Sequence, residues 1–302
     1  MTSFRSPKSQ AMHYAREIRN MGRSQSLGTL RIDEAALTRF ASYLKENKLE
    51  SLKEFTPAKI TPEKNKIILD YLSTRKQKGL TQSTIDQDRQ SLQRLSGGKF
   101  LRAKANLAKG KKASHYRHYT PEQISLIIDK QKPHNSLATK IAAYTGIRAH
   151  ELITLRSISE RSKSKRDTEG QVWEDRRFKG LSGRLYSVIG KGGLCREVIL
   201  SHELVNLLEN VKLDQPRMVT DRGIHYQQFY DISGGQKWSQ SFTQASQKEL
   251  GWSDGAHALR HTYAERRLDQ LLKSGLTRER SLCIIAQEMG HFRSEITEVY
   301  LR

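Results

Sequence analysis

The chain has 302 residues and a formal net charge of +21, because 53 lysines and arginines face only 32 acidic residues. A positive excess of this size attracts anions and favours nucleic acid or an anionic membrane as the partner. No stretch approaches the roughly 18 apolar residues of a membrane-spanning helix, and the charge is spread along the chain, which favours a long polyanion over a bilayer. The two cysteines, Cys195 and Cys283, lie far apart without metal-ligand spacing, so we expect no disulfide framework and a reducing intracellular compartment.

The N-terminal third is predicted to hold an arm and a small helical domain. Residues 1–30 are basic, rich in serine and contain a single acid, so we expect a flexible arm that either contacts nucleic acid or is a leader without a role. Residues 31–101 show three amphipathic patterns, which predict an all-helical domain whose exposed basic residues contact a nucleic-acid backbone. The apolar and capping positions that indicate these helices are Leu37, Phe40, Leu44, Thr61 and Thr81.

Residues 102–119 contain six lysines and arginines and no acid. A run of like charge with glycine and alanine does not pack into a core, so this segment is predicted to be a basic linker. It is either a solvated spacer or a strap that lies along phosphate groups, and we favour the strap because of the overall charge. The DNA-contacting residues predicted on this basis are Lys104, Lys109, Lys111, Lys112 and Arg117.

Residues 120–302 are predicted to form a second, larger domain that is mainly helical with a small antiparallel β-hairpin. A helix begins at Thr120-Pro121-Glu122, and a charged loop covers 157–183. The hairpin is predicted from two apolar runs, 184–189 and 195–200, on either side of a glycine-rich turn. Further helices are expected at about 135–144, from 148, and at 201–211, 222–230, 239–250, 256–273 and 277–289.

Five short motifs carry candidate chemistry, although each has an ordinary structural explanation when taken alone. Arg148 opens a helix after a glycine, and Lys191 lies at the tip of the glycine-rich turn. His257 and Arg260 are three residues apart, which places them side by side on a helix, and His291 follows a glycine at a helix end. The fifth is Tyr300, which by itself is most simply a half-buried aromatic residue.

The pair His257 and His261, four residues apart, raises the question of a zinc site. The glutamate of a His-Glu-x-x-His helix is missing, and no third ligand is evident nearby. We therefore expect no metal and no cofactor.

Together the motifs describe one reaction, the transfer of a phosphodiester. Such a transfer needs a nucleophile, cations that stabilise charge on the non-bridging oxygens, and a proton for the leaving oxygen. Two arginines can grip the phosphate, histidines can donate to it or handle the proton of a tyrosine, and a lysine on a turn can act as general acid. A phosphotyrosine intermediate conserves the bond energy, so that rejoining needs no ATP.

The order and wording of these motifs resemble the tyrosine recombinase, or phage integrase, family over about 115–302. The N-terminal helical domain is similar to the SAM-like core-binding domain of that family in position, size and helicity. The matching segments are Thr145-Gly146-Ile147-Arg148-Ala149-His150-Glu151-Leu152, Gly190-Lys191-Gly192-Gly193, His257-Ala258-Leu259-Arg260-His261-Thr262, Gly290-His291 and Tyr300.

The resemblance implies a role for each matching residue at the scissile phosphate. Arg148 and Arg260 would bind the phosphate and stabilise the pentavalent transition state, and His291 would hydrogen-bond one of its oxygens. Glu151 would orient the cationic cluster rather than react.

The same resemblance implies how the strand would be cut. Tyr300 would attack to form a 3′-phosphotyrosyl link, and His257 would accept or donate a proton near this nucleophile. Lys191 would protonate the 5′-hydroxyl leaving group.

The resemblance also implies the partners. The two domains would clamp double-stranded DNA, a homotetramer would assemble on synapsed sites, and accessory proteins could bend the DNA. We expect a cytoplasmic, nucleoid-associated protein of a bacterium or phage, with a mobile element or prophage as its source.

Two features depart from the family pattern. The 157–183 loop is longer and more charged than usual, and is either a DNA-contacting insertion or a tolerated surface loop. Only two residues follow Tyr300, which puts in doubt a C-terminal segment that docks on a neighbouring protomer. The alternatives to a recombinase are a type IB topoisomerase, which shares the chemistry, and an inactive DNA-binding regulator of recombination.

Overall fold

The computed structural model describes residues 6–24, 26–98, 117–165 and 172–301. The chain divides into two compact units, Met1–Ala113 and Ser114–Arg302, and each has a hydrophobic core of its own. Among the helices of the described residues, none is long and apolar enough to cross a membrane. The predicted linker at 102–119 falls mostly on residues 99–116, so its four lysines lie outside the described residues.

The described part of the first unit is helical. Serine and threonine side chains cap the N-termini of its helices, as the sequence pattern predicts, and the stripe of Leu37, Phe40 and Leu44 is buried against the neighbouring helices. Its elements are α1 (Pro7–Asn20), α2 (Leu27–Glu46), a 3₁₀ turn (Leu52–Phe55), α3 (Pro62–Gln77) and α4 (Gln82–Ser96).

The flexible arm predicted for residues 1–30 is wrong for the described residues of that segment. Helix α1 is capped by the Ser6 side chain and packs along α2. Ala11, Ala15 and Ile18 lie on one face of α1, and their exposed fractions are 0%, 0% and 2%. This apolar stripe consists of only three residues within a basic sequence. The amphipathic pattern of α1 was therefore missed beside the excess of positive charge.

The second unit combines eight helices within its described residues with two small antiparallel sheets. Strands β1, β2 and β3 form one sheet in that order, and β2 pairs with β3 from Arg184 opposite Leu200 to Ile189 opposite Cys195. The hairpin predicted around the glycine-rich turn is therefore present. The helices are α5 (Pro121–Asp129), α6 (Pro133–Thr145), α7 (Ala149–Ile153), α8 (His202–Glu209), α9 (Gly235–Leu250), α10 (Leu259–Lys273), α11 (Arg278–Glu288) and α12 (Glu295–Tyr300). The strands are β1 (Arg156–Ser157), β2 (Arg184–Ile189), β3 (Cys195–Leu200), β4 (Lys212–Asp221) and β5 (Ile224–Tyr230).

The helix predicted at 222–230 is wrong, because this segment is strand β5 of a second hairpin. Its partner β4 runs antiparallel to it, and the turn between them is Arg222-Gly223, with φ of 49° and 69°. Two consecutive residues with positive φ match the twist of a tight two-residue hairpin turn. The first position of the turn is Arg222 rather than the Asn, Asp or Gly that usually indicates such a turn, so the hairpin was missed.

The charged segment predicted as a loop at 157–183 is packed in the part that the structure describes. Residues 172–178 lie against α11, where the backbone N–H groups of Glu174 and Phe178 donate to the side chains of Gln287 and Glu288 at 2.6 and 2.7 Å. The segment begins in strand β1, and residues 166–171 lie outside the described residues.

The last residue of the predicted linker belongs to the core of the second unit. Tyr119 is 1% exposed and stacks on Trp252 with ring centroids 5.2 Å apart. Its backbone N–H donates to Thr262 Oγ1 at 2.9 Å. Arg117, two residues earlier, is exposed.

Candidate active site

Arg148 is placed by a glycine turn and by a buried carboxylate. Helix α6 ends at Gly146 in the left-handed conformation (φ 64°), and Arg148 is the N-cap of α7. Glu151 accepts hydrogen bonds from the Arg148 backbone N–H at 2.7 Å and from its Nη1 at 2.8 Å. Arg148 is therefore held by Glu151 both at its backbone and at its guanidinium group.

Arg196 is a member of this cluster that the motif comparison missed. It lies on β3 with an exposed fraction of 0%, and its Nη2 donates to Glu151 Oε2 at 2.7 Å. Burial alone would raise the pKa of Glu151, but the charges of Arg196, Arg148 and Arg260 outweigh it and lower that pKa to about 2. One signal could have found Arg196: it shares the inward phase of the strand with Val198, where an arginine is unusual.

Arg260 joins the backbone of two other segments to the centre of the site. It is 1% exposed on the first turn of α10, and it donates to the carbonyl oxygens of Gly146 and Met289, the latter at 3.0 Å. Its Nε lies 3.4 Å from the Tyr300 hydroxyl. Burial, followed by the charge of Arg148, lowers the pKa of Arg260 to about 10, so it remains a cation at neutral pH.

His291 lies between the two arginines. Gly290 (φ 80°) turns the chain after α11, and His291 Nε2 lies 2.9 Å from Arg148 Nη2 and 3.3 Å from Arg260 Nη2. Guanidinium nitrogens only donate, so Nε2 is the acceptor and the ring proton is on Nδ1. Burial and the charges of Arg148 and Arg260 lower the pKa of His291 to about 3, which makes the imidazole neutral at pH 7.

His257 lies in a 3₁₀ turn, Ala256–Ala258, directly before α10 rather than within the predicted helix. Its ring centroid is 5.7 Å from that of Tyr300. Partial burial and then the charge of Arg260 lower the pKa of His257 to about 4, although the residue is still exposed to solvent. This imidazole is also neutral at pH 7.

Tyr300 is held inside its own unit. Its exposed fraction is 8%, and it packs in a small core with residues of α10 and α11. His261 Nδ1 donates to the Tyr300 carbonyl oxygen at 3.0 Å, and the two rings meet edge to face at 5.0 Å. His261 is therefore a neighbour of Tyr300 that sequence reasoning considered only as a metal ligand. Across the described ranges, no group of three His, Cys, Asp or Glu side chains could hold a metal ion.

Lys191 stands apart from the hydrogen-bonded cluster. It begins the 3₁₀ turn Lys191–Gly193 between β2 and β3, and its side chain is exposed. The preceding residue, Gly190, lies against the cluster, since a Cβ added there would be 3.0 Å from Glu151 Oε1. The structure thus brings together five of the six predicted catalytic residues and anchors the turn that carries the sixth.

The arrangement can bind an oxyanion beside a phenol. Two guanidinium groups converge on one point from α7 and α10, and the Tyr300 hydroxyl borders the same point. Their planar donors suit the oxygens of a phosphate or carboxylate.

The sequence matches no protein-family model, and no curated protein sequence matches it. The structure, however, is similar to solved structures of recombinases. XerH site-specific recombinase bound to palindromic difH substrate is 18% identical, with a TM-score of 0.57 over 98% of this chain and 81% of that chain. The Tn1549 transposon integrase in complex with circular intermediate DNA is 17% identical, with a TM-score of 0.56 over 97% of this chain and 94% of that chain. A lambda integrase dimer bound to a COC′ core site is 15% identical, with a TM-score of 0.58 over 97% of this chain and 76% of that chain.

The chain therefore has the fold of the tyrosine recombinases and integrases. The predicted fold class, mainly helical with small antiparallel sheets, is confirmed. The resemblance that the motifs indicated is confirmed at the level of the fold.

Proposed function

We propose that this protein is a site-specific DNA recombinase that cleaves and rejoins duplex DNA through a 3′-phosphotyrosyl intermediate. The observation that carries the proposal is that Arg148 and Arg260 both lie within hydrogen-bonding distance of His291 Nε2, with the Tyr300 hydroxyl 3.4 Å from Arg260 Nε. The fold supports it, because the similar structures are recombinases and integrases in complex with DNA.

The phosphate would bind where His291 Nε2 now accepts from the two arginines. A phosphate oxygen is a stronger acceptor than a neutral imidazole, since it carries charge. Arg148 and Arg260 are already oriented by Glu151 and by the carbonyl oxygens of Gly146 and Met289, so little reorganisation is needed. Once displaced, His291 would turn to donate to another phosphate oxygen.

The nucleophile in the proposed reaction is the Tyr300 hydroxyl. Its oxygen would form a bond to phosphorus while the bond from phosphorus to the 5′-oxygen breaks, and its proton would pass to His257. The neutral state of His257 suits this role, because a protonated imidazole could not accept. A phosphate in the site would also offset the arginine charges and make His257 a better base.

The leaving 5′-oxygen would take its proton from Lys191. The lysine lies on an exposed turn whose anchor, Gly190, contacts the Glu151 and Arg148 cluster. The reverse reaction uses the same groups: a 5′-hydroxyl attacks the phosphotyrosine, Lys191 accepts its proton, and His257 returns a proton to Tyr300 as the bond from phosphorus to the tyrosine oxygen breaks. No ATP is consumed, because the ester keeps the bond energy.

The proposed partners are double-stranded DNA and further copies of the chain. A lambda integrase tetramer bound to a Holliday junction is 14% identical, with a TM-score of 0.52, and supports a homotetramer on two synapsed sites. The Tn1549 and lambda neighbours support a mobile element or prophage as the source. A nucleoid-associated location, accessory DNA-bending proteins, and phosphate contacts by Arg117 and the lysines of the 102–119 segment complete the proposal.

The test is to trap a covalent adduct. The DNA site would first be selected from random sequences by binding to the protein. In a duplex that carries this site and a nick beside it, cleavage releases the short strand next to the nick, so that rejoining is prevented and the protein stays covalently bound to the DNA. Tyr300→Phe should abolish the adduct and keep salt-sensitive binding, since only the nucleophilic oxygen is removed. EDTA should change nothing, because no step uses a metal ion.

Three outcomes would contradict the proposal. An adduct with Tyr300→Phe would place the nucleophile elsewhere. Relaxation of any supercoiled plasmid by monomers would favour a type IB topoisomerase, and binding without any adduct would favour an inactive regulator.

A further inference from the structure

We infer that Arg196 is a positioning residue for strand cleavage, which holds Glu151, and through it Arg148, in register with the turn that carries His291. This inference rests on the proposed function and extends it to a side chain that lies behind the reacting groups. Its basis is that one buried guanidinium joins three elements of the site, β3, α7 and the end of α11.

The two arms of the guanidinium point in different directions. Arg196 Nη2 donates to Glu151 Oε2 at 2.7 Å, and Nη1 donates to the backbone carbonyl of Glu288 at 2.7 Å. Arg196 and Glu151 are both 0% exposed, so bulk water does not compete for these hydrogen bonds. A planar fork with fixed donor angles sets the separation of its two acceptors.

The first arm leads to Arg148. The carboxylate of Glu151 is shared: Oε2 accepts from Arg196 and from the Arg148 backbone, while Oε1 accepts from Arg148 Nη1 at 2.8 Å. Without Arg196, the carboxylate would keep only contacts within its own short helix. It could then turn together with the Arg148 side chain, and the guanidinium would lose its fixed direction.

The second arm leads to His291. Glu288 is the last residue of α11, and the chain reaches His291 three residues later through Gly290. A Cβ added to Gly290 would lie 2.7 Å from Arg196 Nε, so this backbone packs directly against the guanidinium. Arg196 thus fixes the position of the turn that places His291 against Arg148 and Arg260.

The cost of this arrangement indicates that stability is not its main effect. Arg196 Nε is buried and donates to no acceptor among the described residues, which is unfavourable. A fully buried ion pair also contributes little net stability, because desolvation of both charges offsets their attraction. Fixed geometry is what the pair supplies.

The ionisation of Glu151 gives the inference a second readout. The groups that face this carboxyl are Arg148 at its own helix, Arg196 on β3, Arg260 on α10 and His291 beyond α11. When Arg196 is replaced by a neutral side chain, one cation is lost and the pKa of Glu151 rises. Protonation would then release Arg148. The cleavage rate of the unmodified protein falls at low pH only as His257 is protonated, and in the variant this fall should begin at a higher pH.

Three variants separate position from charge and from general damage. Arg196→Gln removes both charge and fork, and Arg196→Lys keeps the charge but replaces the two-armed fork by one ammonium. The matched control is Arg177→Gln. Arg177 is also largely buried, and its Nη2 donates at 2.7 Å to Glu197, the next residue on β3, which points to the other face of the strand.

Adduct formation at saturating DNA should slow about 100-fold in Arg196→Gln and Arg196→Lys, the scale expected when a catalytic group is displaced by about 1 Å. The DNA affinity of all three variants should stay near that of the unmodified protein. The rate of adduct formation by Arg177→Gln should also stay near that of the unmodified protein. The fall of the cleavage rate at low pH should shift to a higher pH in Arg196→Gln alone. In NMR spectra without DNA, the His291 ring signals should shift in both Arg196 variants and not in Arg177→Gln.

Two results would overturn the inference. One is a folded Arg196 variant whose His291 NMR signals are the same as those of the unmodified protein, and the other is cleavage by Arg196→Lys at the rate of the unmodified protein. If Arg196→Gln does not fold, Arg196→Lys still decides. If the unmodified protein forms no adduct at all, the proposed function fails, and the His291 signals decide this inference separately.

Discussion

The substitution Gly146→Ala tests how the fold places Arg148, which follows two residues later. Gly146 ends α6 at φ 64°, and a Cβ added there would lie 2.6 Å from Cδ1 of the Tyr263 ring. Tyr263 has little freedom to move aside, because it is 2% exposed and its hydroxyl donates to Glu288 Oε2 at 2.7 Å. The added methyl group therefore meets both an unfavourable backbone conformation and a fixed ring.

The two penalties can be separated with a second glycine. A left-handed alanine costs about 1–2 kcal/mol, of which about 0.4–1 is recovered because the unfolded chain is less flexible. Crowding in a packed core adds about 1–3 kcal/mol. Gly251 also ends a helix in the left-handed conformation, at φ 76°, but a Cβ there would have no atom within 4 Å. We expect Gly146→Ala to lose about 2–4 kcal/mol of unfolding free energy and Gly251→Ala to lose about 1 kcal/mol, by the same reasoning.

Urea unfolding followed by tryptophan fluorescence measures both values. The three tryptophans, Trp173, Trp238 and Trp252, all belong to the second unit, so the signal reports on that unit alone. In the adduct assay, Gly146→Ala should also cleave more slowly than Gly251→Ala, because the Arg148 turn shifts. Equal losses of stability in the two variants would show that Tyr263 does not crowd Gly146 and would refute this account of the turn.

Three further predictions follow from the site. Lys191→Ala should slow cleavage of ordinary DNA, and a 5′-thiol leaving group, which needs no proton, should restore the rate; failure of this rescue would assign the general acid to another residue. His261→Phe should keep the packing on Tyr300 but lose the hydrogen bond to its carbonyl, and we expect roughly tenfold slower adduct formation at unchanged DNA affinity. An unchanged rate would show that the packing of α12 alone holds the tyrosine. The pKa values of His257 and His291 are lowered to about 4 and 3 in the folded protein, whereas a histidine in an unfolded chain has a pKa of about 6.5. As the pH drops from about 6.5 towards 4, the unfolded chain therefore binds protons at these two histidines before the folded protein does, and the urea midpoint of unfolding should fall. Histidine NMR signals from these residues that titrate near pH 6.5 in the folded protein would contradict that expectation.

Much of the secondary structure could be predicted because it depends on local patterns. Helix starts at Thr61, Thr81 and Thr120 follow from side-chain caps, and the β2–β3 hairpin follows from apolar runs around a glycine turn. The same reasoning failed where the local signal was weak or masked. In α1 a narrow apolar stripe was hidden among basic residues, and β5 is a strand because it pairs with β4, a partner that its own sequence does not reveal.

The amino-acid sequence by itself determined the chemical inventory of the site, because guanidinium, imidazole, ammonium and phenol groups in a fixed order are a property of the chain. Only the tertiary structure decided which of them meet. Arg148 and His291, 143 residues apart, lie 2.9 Å apart because a glycine turn after α6 and another after α11 bring the two segments together.

The tertiary structure also decided what surrounds the reacting groups. Whether a histidine is neutral depends on burial and on charges from other elements, and no local pattern encodes these. Arg196 is one strand residue among many in the sequence, and it becomes part of the site only when β3 packs between α7 and the end of α11.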